Sequence, residues 1–379
     1  MTNSKSAPTS SSLLMSQLVS YIPGIMLTSI VAWIGIISSD WIGKELLGFQ
    51  KSPVSGIMMA IIFGLLIGNI ISLPKQLNSG ISFSLKYLLK LGIILLGIRL
   101  SLGDVVQIGL VGLPVIIICV VGALITANWL NKRLGLSERM GTLIAVGTSI
   151  CGATAIVAMG PTIDAKEEEI TYAVANITVF GIIAMFLYPY LAHLLFPQND
   201  LSAGLFLGTS IHETAQVAGG GLIYSQLYTN EAVLNIATIT KLVRNVFMVA
   251  VIPFMAYYYQ RRRNLAEKKP LNLINLFPMF ILGFLLMAFL RTIGDTTLNQ
   301  SGRALGILDA TSWGQIVSAI KDSAEALLAI AMAGVGLGTR FRELRKLGIK
   351  PFYVGFIAAI TVAILSLSML GILQILGIT

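Results

Sequence analysis

Charge is scarce in this chain. Of its 379 residues, 11% are Asp, Glu, Lys or Arg, against roughly 25% in soluble domains, so no sizeable soluble domain can be drawn from it. Histidine and cysteine are scarcer still, at two residues each. Cys119 and Cys151 fall in different hydrophobic segments, which leaves neither a disulfide framework nor a thiolate metal site, whose ligands are closely spaced. One deep histidine, His212, does not make a zinc site. The chain also lacks the glycine-rich phosphate loop of ATP-driven pumps and the G-x-S-x-G frame of a serine nucleophile. An enzyme, a metal and a cofactor are therefore not expected.

What the chain has in quantity is apolar sequence, 55% of residues with a mean hydropathy of +0.84. Apolar segments run over 21–38, 53–72, 81–99, 105–130, 140–161, 168–193, 202–224, 232–259, 275–290, 312–337 and 352–378. At about 20 residues per crossing, this predicts an all-α polytopic membrane protein with about 9–11 transmembrane helices. Residues 1–20 read as a polar N-terminal tail and 21–379 as one transmembrane transporter domain. The run 21–38 is long enough to span rather than to be cleaved as a signal. The net charge of +9 comes from basic runs beside apolar segments, not from a nucleic-acid face. The strongest are Lys132-Arg133 with Arg139, Arg261 to Arg263 with Lys268-Lys269, and Arg340 to Lys350. Placing all three in the cytoplasm predicts a cell (inner) membrane protein with its N-terminus inside and its C-terminus outside. Lys44, Lys51 and Arg303 then lie outside, so the rule holds only in bulk.

Two stretches nearly repeat each other. Gly147-Thr-Ser-Ile-Cys-Gly-Ala-Thr-Ala-Ile-Val-Ala158 recurs, one residue shorter, as Gly208-Thr-Ser-Ile-His-Glu-Thr-Ala-Gln-Val-Ala218. Both are too rich in Gly, Ser and Thr for an ordinary lipid-facing helix. Irregular backbone at membrane depth is tolerated only where protein or a watery cavity receives it, and paired interruptions of this kind mark carriers whose site lies between half-helices. A fainter echo relates the stretch Gly97 to Pro114, containing Arg99, to Gly338 to Pro351, containing Arg340, in opposite orientations. Repeat-related elements 53–193 and 202–378, in permuted order, follow from this. Two layouts fit the interruptions: paired hairpins that enter and leave on one side, which make the copies inverted, or broken full crossings.

The candidate binding residues come from these stretches. Ser210, His212, Glu213, Thr214 and Gln216 concentrate polarity that demands partners in hydrocarbon. Thr148, Ser149, Cys151, Gly152 and Thr154 form the milder counterpart, with hydroxyls and a glycine suited to close backbone approach. Lys241 and Arg244, three apart on one helix face, are intramembrane cations, which by default mark a site or an ion pair. A pair with Glu213 uses only one of them and leaves positive charge for an anion. The matching helix after the first stretch carries Asn176 and Thr178, with Val179 opposite Lys241, so the site is expected to be asymmetric. Histidine titrates near neutrality when unperturbed, so His212 or Glu213 is the candidate proton carrier. Lys86 reads as lying near a membrane face, where its side chain snorkels, and Lys90, four residues on and deeper, is an outlying candidate for the anion's path. Asp322 and Glu325 read as acids at the start of a helix, and His193 as an interfacial residue.

The motifs Gly147-Thr-Ser-Ile-Cys-Gly-Ala-Thr-Ala-Ile, Ser210-Ile-His212-Glu213-Thr-Ala-Gln-Val-Ala and Lys241-Leu-Val-Arg244-Asn245 resemble the putative sulfate exporter family of bacterial inner-membrane proteins, over nearly the whole chain from about residue 20. The resemblance implies membership of the cation:proton antiporter and anion transporter superfamily, with inverted repeats and two discontinuous helices crossing near the midplane, which favours broken crossings over hairpins. Members often carry His-Asp where this chain has His212-Glu213. The expectation is a secondary transporter, an exporter of a small anion such as sulfate, sulfite or an organic sulfonate or carboxylate. Coupling to H+ or Na+ and a homodimer are compatible with it. The alternatives are a cation:proton antiporter using Glu213, and a channel or signalling membrane protein.

Overall fold

The computed structural model describes residues 10–46, 52, 54–263, 276–339 and 349–378. Apart from an isolated bridge between Ala304 and Leu308, the described residues form helices and connectors. Two compact units emerge. The first comprises 1–90 and 326–340, the second 91–325 and 341–379. The basic run from Arg340, the echo to Gly348 and most of the run after Arg263 lie outside the described residues.

Helix α1 (Ser10–Trp41) starts ten residues before the expected end of the polar tail. It packs with α2 (Gly56–Ile70) and α3 (Lys75–Phe83) in the first unit. Lipid supplies no hydrophobic drive between helices, so close backbone approach must hold such a bundle. Gly80 and Gly24 provide it: a Cβ on Gly80 would lie 2.1 Å from the Tyr21 carbonyl oxygen and 2.6 Å from Gly24 Cα. Gly80→Ala must force these backbones apart, at about 1–3 kcal/mol. The purified variant should melt several degrees lower, whereas Gly371→Ala, whose Cβ meets nothing within 4 Å, should melt no lower than wild type. Equal melting temperatures for Gly80→Ala and wild type would refute this packing.

After a π-helical turn (Ser84–Leu88), helix α4 (Leu89–Leu96) and a 3-10 turn (Gly97–Arg99), the chain enters α5 (Leu102–Leu134). Ser101 and Asp104 form a reciprocal capping box at its start, satisfying donors that a helix N-terminus leaves open. Gly135 ends it with φ 66°. Then come α6 (Glu138–Ser149), α7 (Ala153–Met159) with a 3-10 extension (Gly160–Ile163), α8 (Glu167–Leu195), α9 (Asp200–Ser210), α10 (Thr214–Tyr228), α11 (Glu231–Val246) and α12 (Met248–Arg263). Helices α13 (Phe280–Ser301), α14 (Ala310–Gly338) and α15 (Ile349–Ile375) complete the described chain.

Seven helical stretches among the described residues are long and apolar enough to cross a membrane: Val19–Leu46, Lys75–Arg99, Leu102–Arg133, Glu167–Leu195, Glu231–Tyr259, Phe280–Ser301 and Ile349–Ile375. The other four apolar segments behave differently. Segments 140–161 and 202–224 each fold as two short helices. Helix α2 has 15 residues, and α14 is long but carries Lys321, Asp322 and Glu325. Asp322 and Glu325 do not start a helix, because α14 begins at Ala310. Glu325 instead pairs with Arg99, whose side chain is 1% exposed and whose other partner is Glu231 at 2.8 Å. His193 stacks on Tyr228, with ring centroids 3.6 Å apart, and its Nδ1 lies 3.3 Å from the Tyr224 hydroxyl.

Candidate functional site

Neighbour contacts give the path of the chain through the two interrupted segments. Ser137, at the head of α6, donates to Glu169 Oε1 at 2.8 Å. Gly160, at the end of α7, abuts Ile170. Gly147 and Gly152, near the interruption, both abut Ile177. The head of α6 and the end of its return arm thus lie beside the first turn of α8, and the interruption lies further along it. This is a hairpin. The second segment does the same. Asn230 Nδ2 donates to Asp200 Oδ1 at 2.7 Å, joining the end of the return arm to the head of α9. Gly204 abuts Ile236 and Gly208 abuts Thr240, so α9 runs parallel to α11. Asn245 donates to Thr214 while Gly221 abuts Leu234, so α10 runs antiparallel to it.

The hairpins open at opposite ends of α8, which is 29 residues long, or about 43 Å. Their tips meet beside its middle, where Ile177 touches Gly152 and the Thr178 carbonyl accepts from Gln216 Nε2 at 3.1 Å. Gly152 has φ 75° and ψ −126°, a conformation open essentially to glycine. A Cβ there would sit 3.3 Å from Glu213 Cβ. Each tip is thus the other's neighbour.

A helix end leaves carbonyls unpaired, and at each tip they are buried. Helix α11 supplies the donors. Lys241 Nζ bonds to the carbonyls of Ile150 (2.9 Å), Ile211 (3.0 Å) and His212. Arg244 Nε donates to Ser149 O at 2.9 Å, one terminal nitrogen to Thr209 O at 2.5 Å, and the other to Thr148 O. Both side chains are fully buried. The two cations therefore serve the negative ends of α6 and α9, where positive charge is favourable. All three protons of Lys241 are committed to carbonyls. This corrects the sequence expectation that one cation pairs with Glu213 while the other stays free for an anion.

The remaining candidates separate into bonded and unbonded groups. Thr148 and Ser149 are buried, and their hydroxyls bond back to Ile144 O (2.8 Å) and Val146 O (3.1 Å) of their own helix. Cys151 is buried, its Sγ 3.7 Å from Met248 Sδ. Asn176 is not brought to the tips: its Nδ2 donates to Pro351 O on α15 at 2.6 Å. Its position one residue from Ile177 turns it to another face of α8. Ser210, His212 and Gln216 are buried, and Ser210 Oγ, His212 Nδ1 and Gln216 Oε1 have no hydrogen-bond partner among the described residues. Thr154 is exposed, and Glu213 and Thr214 are partly exposed. Glu213 stands at the N-cap of α10 without a side-chain capping bond.

Sequence reasoning passed over three contributors. Asn245, within the quoted Lys241 motif, holds Thr214 at 3.0 Å. Thr209, within the repeated Gly-Thr-Ser, bonds to Ser366 of α15 at 2.7 Å. Ser366 is one of two serines, with Ser368, in a mostly apolar helix, and a hydroxyl in such a helix is a recognisable helix-joining signal.

Comparisons with known proteins agree on a family. The profile described as conserved hypothetical protein 698 matches residues 23–355. A UPF0324 membrane protein of Streptococcus agalactiae serotype V is 30% identical over 352 residues, covering 93% of this chain and 97% of the relative. One from Yersinia pestis is 32% identical over 349 residues, covering 89% and 88%. One from Corynebacterium glutamicum is 32% identical over 356 residues, covering 93% and 92%.

Proposed function

The chain belongs to the conserved hypothetical protein 698 family, and we propose that this membrane protein is a secondary transporter that exports a small anion by alternating access at the two hairpin tips. Sulfate, sulfite and organic sulfonates or carboxylates are the substrate class, in line with the resemblance to sulfate exporters. In this reading the two arms are re-entrant, entering the bilayer from opposite sides, and the tips mark an inverted repeat. With α2 and α14 also crossing, nine crossings and two hairpins place Lys132, Arg133 and Arg261 on the cytoplasmic side, with the N-terminus inside and the C-terminus outside an inner membrane.

One observation carries the reading. Lys241 and Arg244 occupy the carbonyl ends of the interrupted helices, while the amide end of α10 lies beside buried Ser210 and His212, each with an unpartnered polar atom. Amide ends of helices attract anions. The anion is coordinated by that end, with Ser210, His212 and Thr214. Lys241 and Arg244 hold the geometry and lend a positive field rather than direct contacts. Glu213 borders the same tips and is partly exposed, so it is the carboxylate for a coupling proton. The same position favours the second reading, cation:proton antiport through Glu213.

Counterflow of labelled sulfate, sulfite and simple carboxylates into proteoliposomes tests this. Wild type should accumulate at least one of these anions, and Ser210→Ala and His212→Ala should each lower the rate at least tenfold. Wild-type rates in both variants would refute the site. Na+- or K+-driven proton movement with no anion counterflow would replace the anion reading with the antiporter.

A further inference from the structure

The stretch Lys75–Arg99 is one of the seven apolar spans, yet one line along it is polar. Asn78, Ser82, Lys86 and Lys90 recur every fourth residue, and all four are exposed. Four residues overshoot one α-helical turn by about 40°, so a four-residue repeat normally drifts round the helix. Here the π-helical turn Ser84–Leu88 falls inside the stripe. A π turn takes more residues per turn than an α turn, and so draws the repeat back onto one face. Ser84, on the opposite side, is buried against Thr28 at 3.0 Å, which fixes the helix's rotation within its unit.

Depth makes the stripe informative. The 25 residues of Lys75–Arg99 extend about 37 Å, with their midpoint at Tyr87. Lys86 then lies about 1.5 Å, and Lys90 about 4.5 Å, from the middle. With a hydrocarbon core about 30 Å thick, at least about 10 Å separates either Cα from the nearest headgroups. That is beyond the reach of a lysine side chain. Charged groups at this depth face protein or a water-filled cavity, and among the described residues both lysines are exposed.

We infer that Asn78, Ser82, Lys86 and Lys90 line a water-filled path for the transported anion at mid-membrane depth. The two ammonium groups, one helical turn apart, suit an oxyanion carrying more than one negative charge. The inference rests on the anion-transport reading above, but its test is separable.

Lys86→Cys and Lys90→Cys are made in the full chain, whose native thiols Cys119 and Cys151 are buried and serve as the blank. Val121→Cys, at an exposed apolar position midway along α5, is the lipid-facing control. In opened membranes, the anionic reagent methanethiosulfonate ethylsulfonate should modify Lys86→Cys and Lys90→Cys at least tenfold faster than Val121→Cys. Sulfate should slow the modification relative to chloride at equal ionic strength. Should either lysine variant fail to fold, Ser82→Cys gives the same readout without loss of charge. Modification no faster than at Val121→Cys overturns the path. Ready disulfide formation between two copies through Lys86→Cys makes the stripe a subunit contact and also overturns it. Fast modification unaffected by sulfate, with wild-type counterflow in a Lys86→Gln/Lys90→Gln double variant, overturns the anion assignment. Fast, sulfate-sensitive modification in a protein without anion counterflow supports the stripe and sinks the transport reading instead.

Discussion

Lys241→Met should leave little folded protein. The substitution keeps most of the side chain's length and removes its three donors, so the carbonyls of Ile150, Ile211 and His212 are buried without partners. Each such group costs about 1–3 kcal/mol. The sum, about 3–9 kcal/mol, is of the order of a whole domain's stability, about 5–15 kcal/mol. The two hairpin tips should separate, with anion counterflow reduced at least 100-fold and a melting temperature far below wild type, or no transition at all. The companion variant distinguishes this account from an ion pair. If Lys241 were held by Glu213, Glu213→Gln would strand a buried charge, at about 3–5 kcal/mol. With Lys241 held by carbonyls, Glu213→Gln should fold and melt like wild type while altering transport or its pH dependence. A stable Lys241→Met protein, or an unstable Glu213→Gln protein, contradicts the geometry. Fluorescence-monitored thermal unfolding in detergent reads both.

Gly152→Ala should abolish transport with a smaller effect on the fold. Its backbone, at φ 75° and ψ −126°, admits a side chain only with strain of about 1–3 kcal/mol. The new methyl would also press on Glu213, 3.3 Å from that residue's Cβ and 3.4 Å from its Cα. Relief requires the tips to move apart, which displaces Glu213 and the start of α10 from the positions that Lys241 and Asn245 set. Counterflow should fall at least tenfold while expression persists. Gly135→Ala is the comparison, since Gly135 has φ 66° with nothing within 4 Å. It carries backbone strain alone, far from the tips, and should cost stability without changing the rate. Equal transport losses in the two variants would mean that the close approach of the tips has no special part.

How much of this was legible beforehand differs from residue to residue. The repeated Gly-Thr-Ser-Ile marked both interruptions, because small and hydroxyl residues in an apolar run announce backbone that cannot be a plain lipid-facing helix. Lys241 and Arg244 stood out for the same reason, as charges too deep to be casual. Their partners did not. A cation in the sequence looks for an acid, and Glu213 was the acid at hand. The unpaired acceptors were main-chain carbonyls, and a carbonyl has no letter in the sequence. Asn176 was placed by analogy between repeats, yet it faces α15 through Pro351, a partner 175 residues away that local spacing does not reveal. In the sequence Glu325 reads as an acid opening the run 312–337 on its outer side, where a helix N-terminus favours negative charge. Helix α14 in fact starts at Ala310, and Arg99 claims that carboxylate.

Composition and period by themselves determined an all-helical chain of long apolar spans, because scarce charge and runs of about 20 apolar residues are stable only in that form. They also located the two places where helices had to stop. Only the tertiary structure decided that each interrupted segment turns back on itself and that the tips meet beside the middle of α8. The physical reason is that hairpin and straight crossing satisfy the same local pattern. What separates them is long-range contact, Ser137 to Glu169 and Asn230 to Asp200, together with two buried cations that satisfy both tips from a single helix.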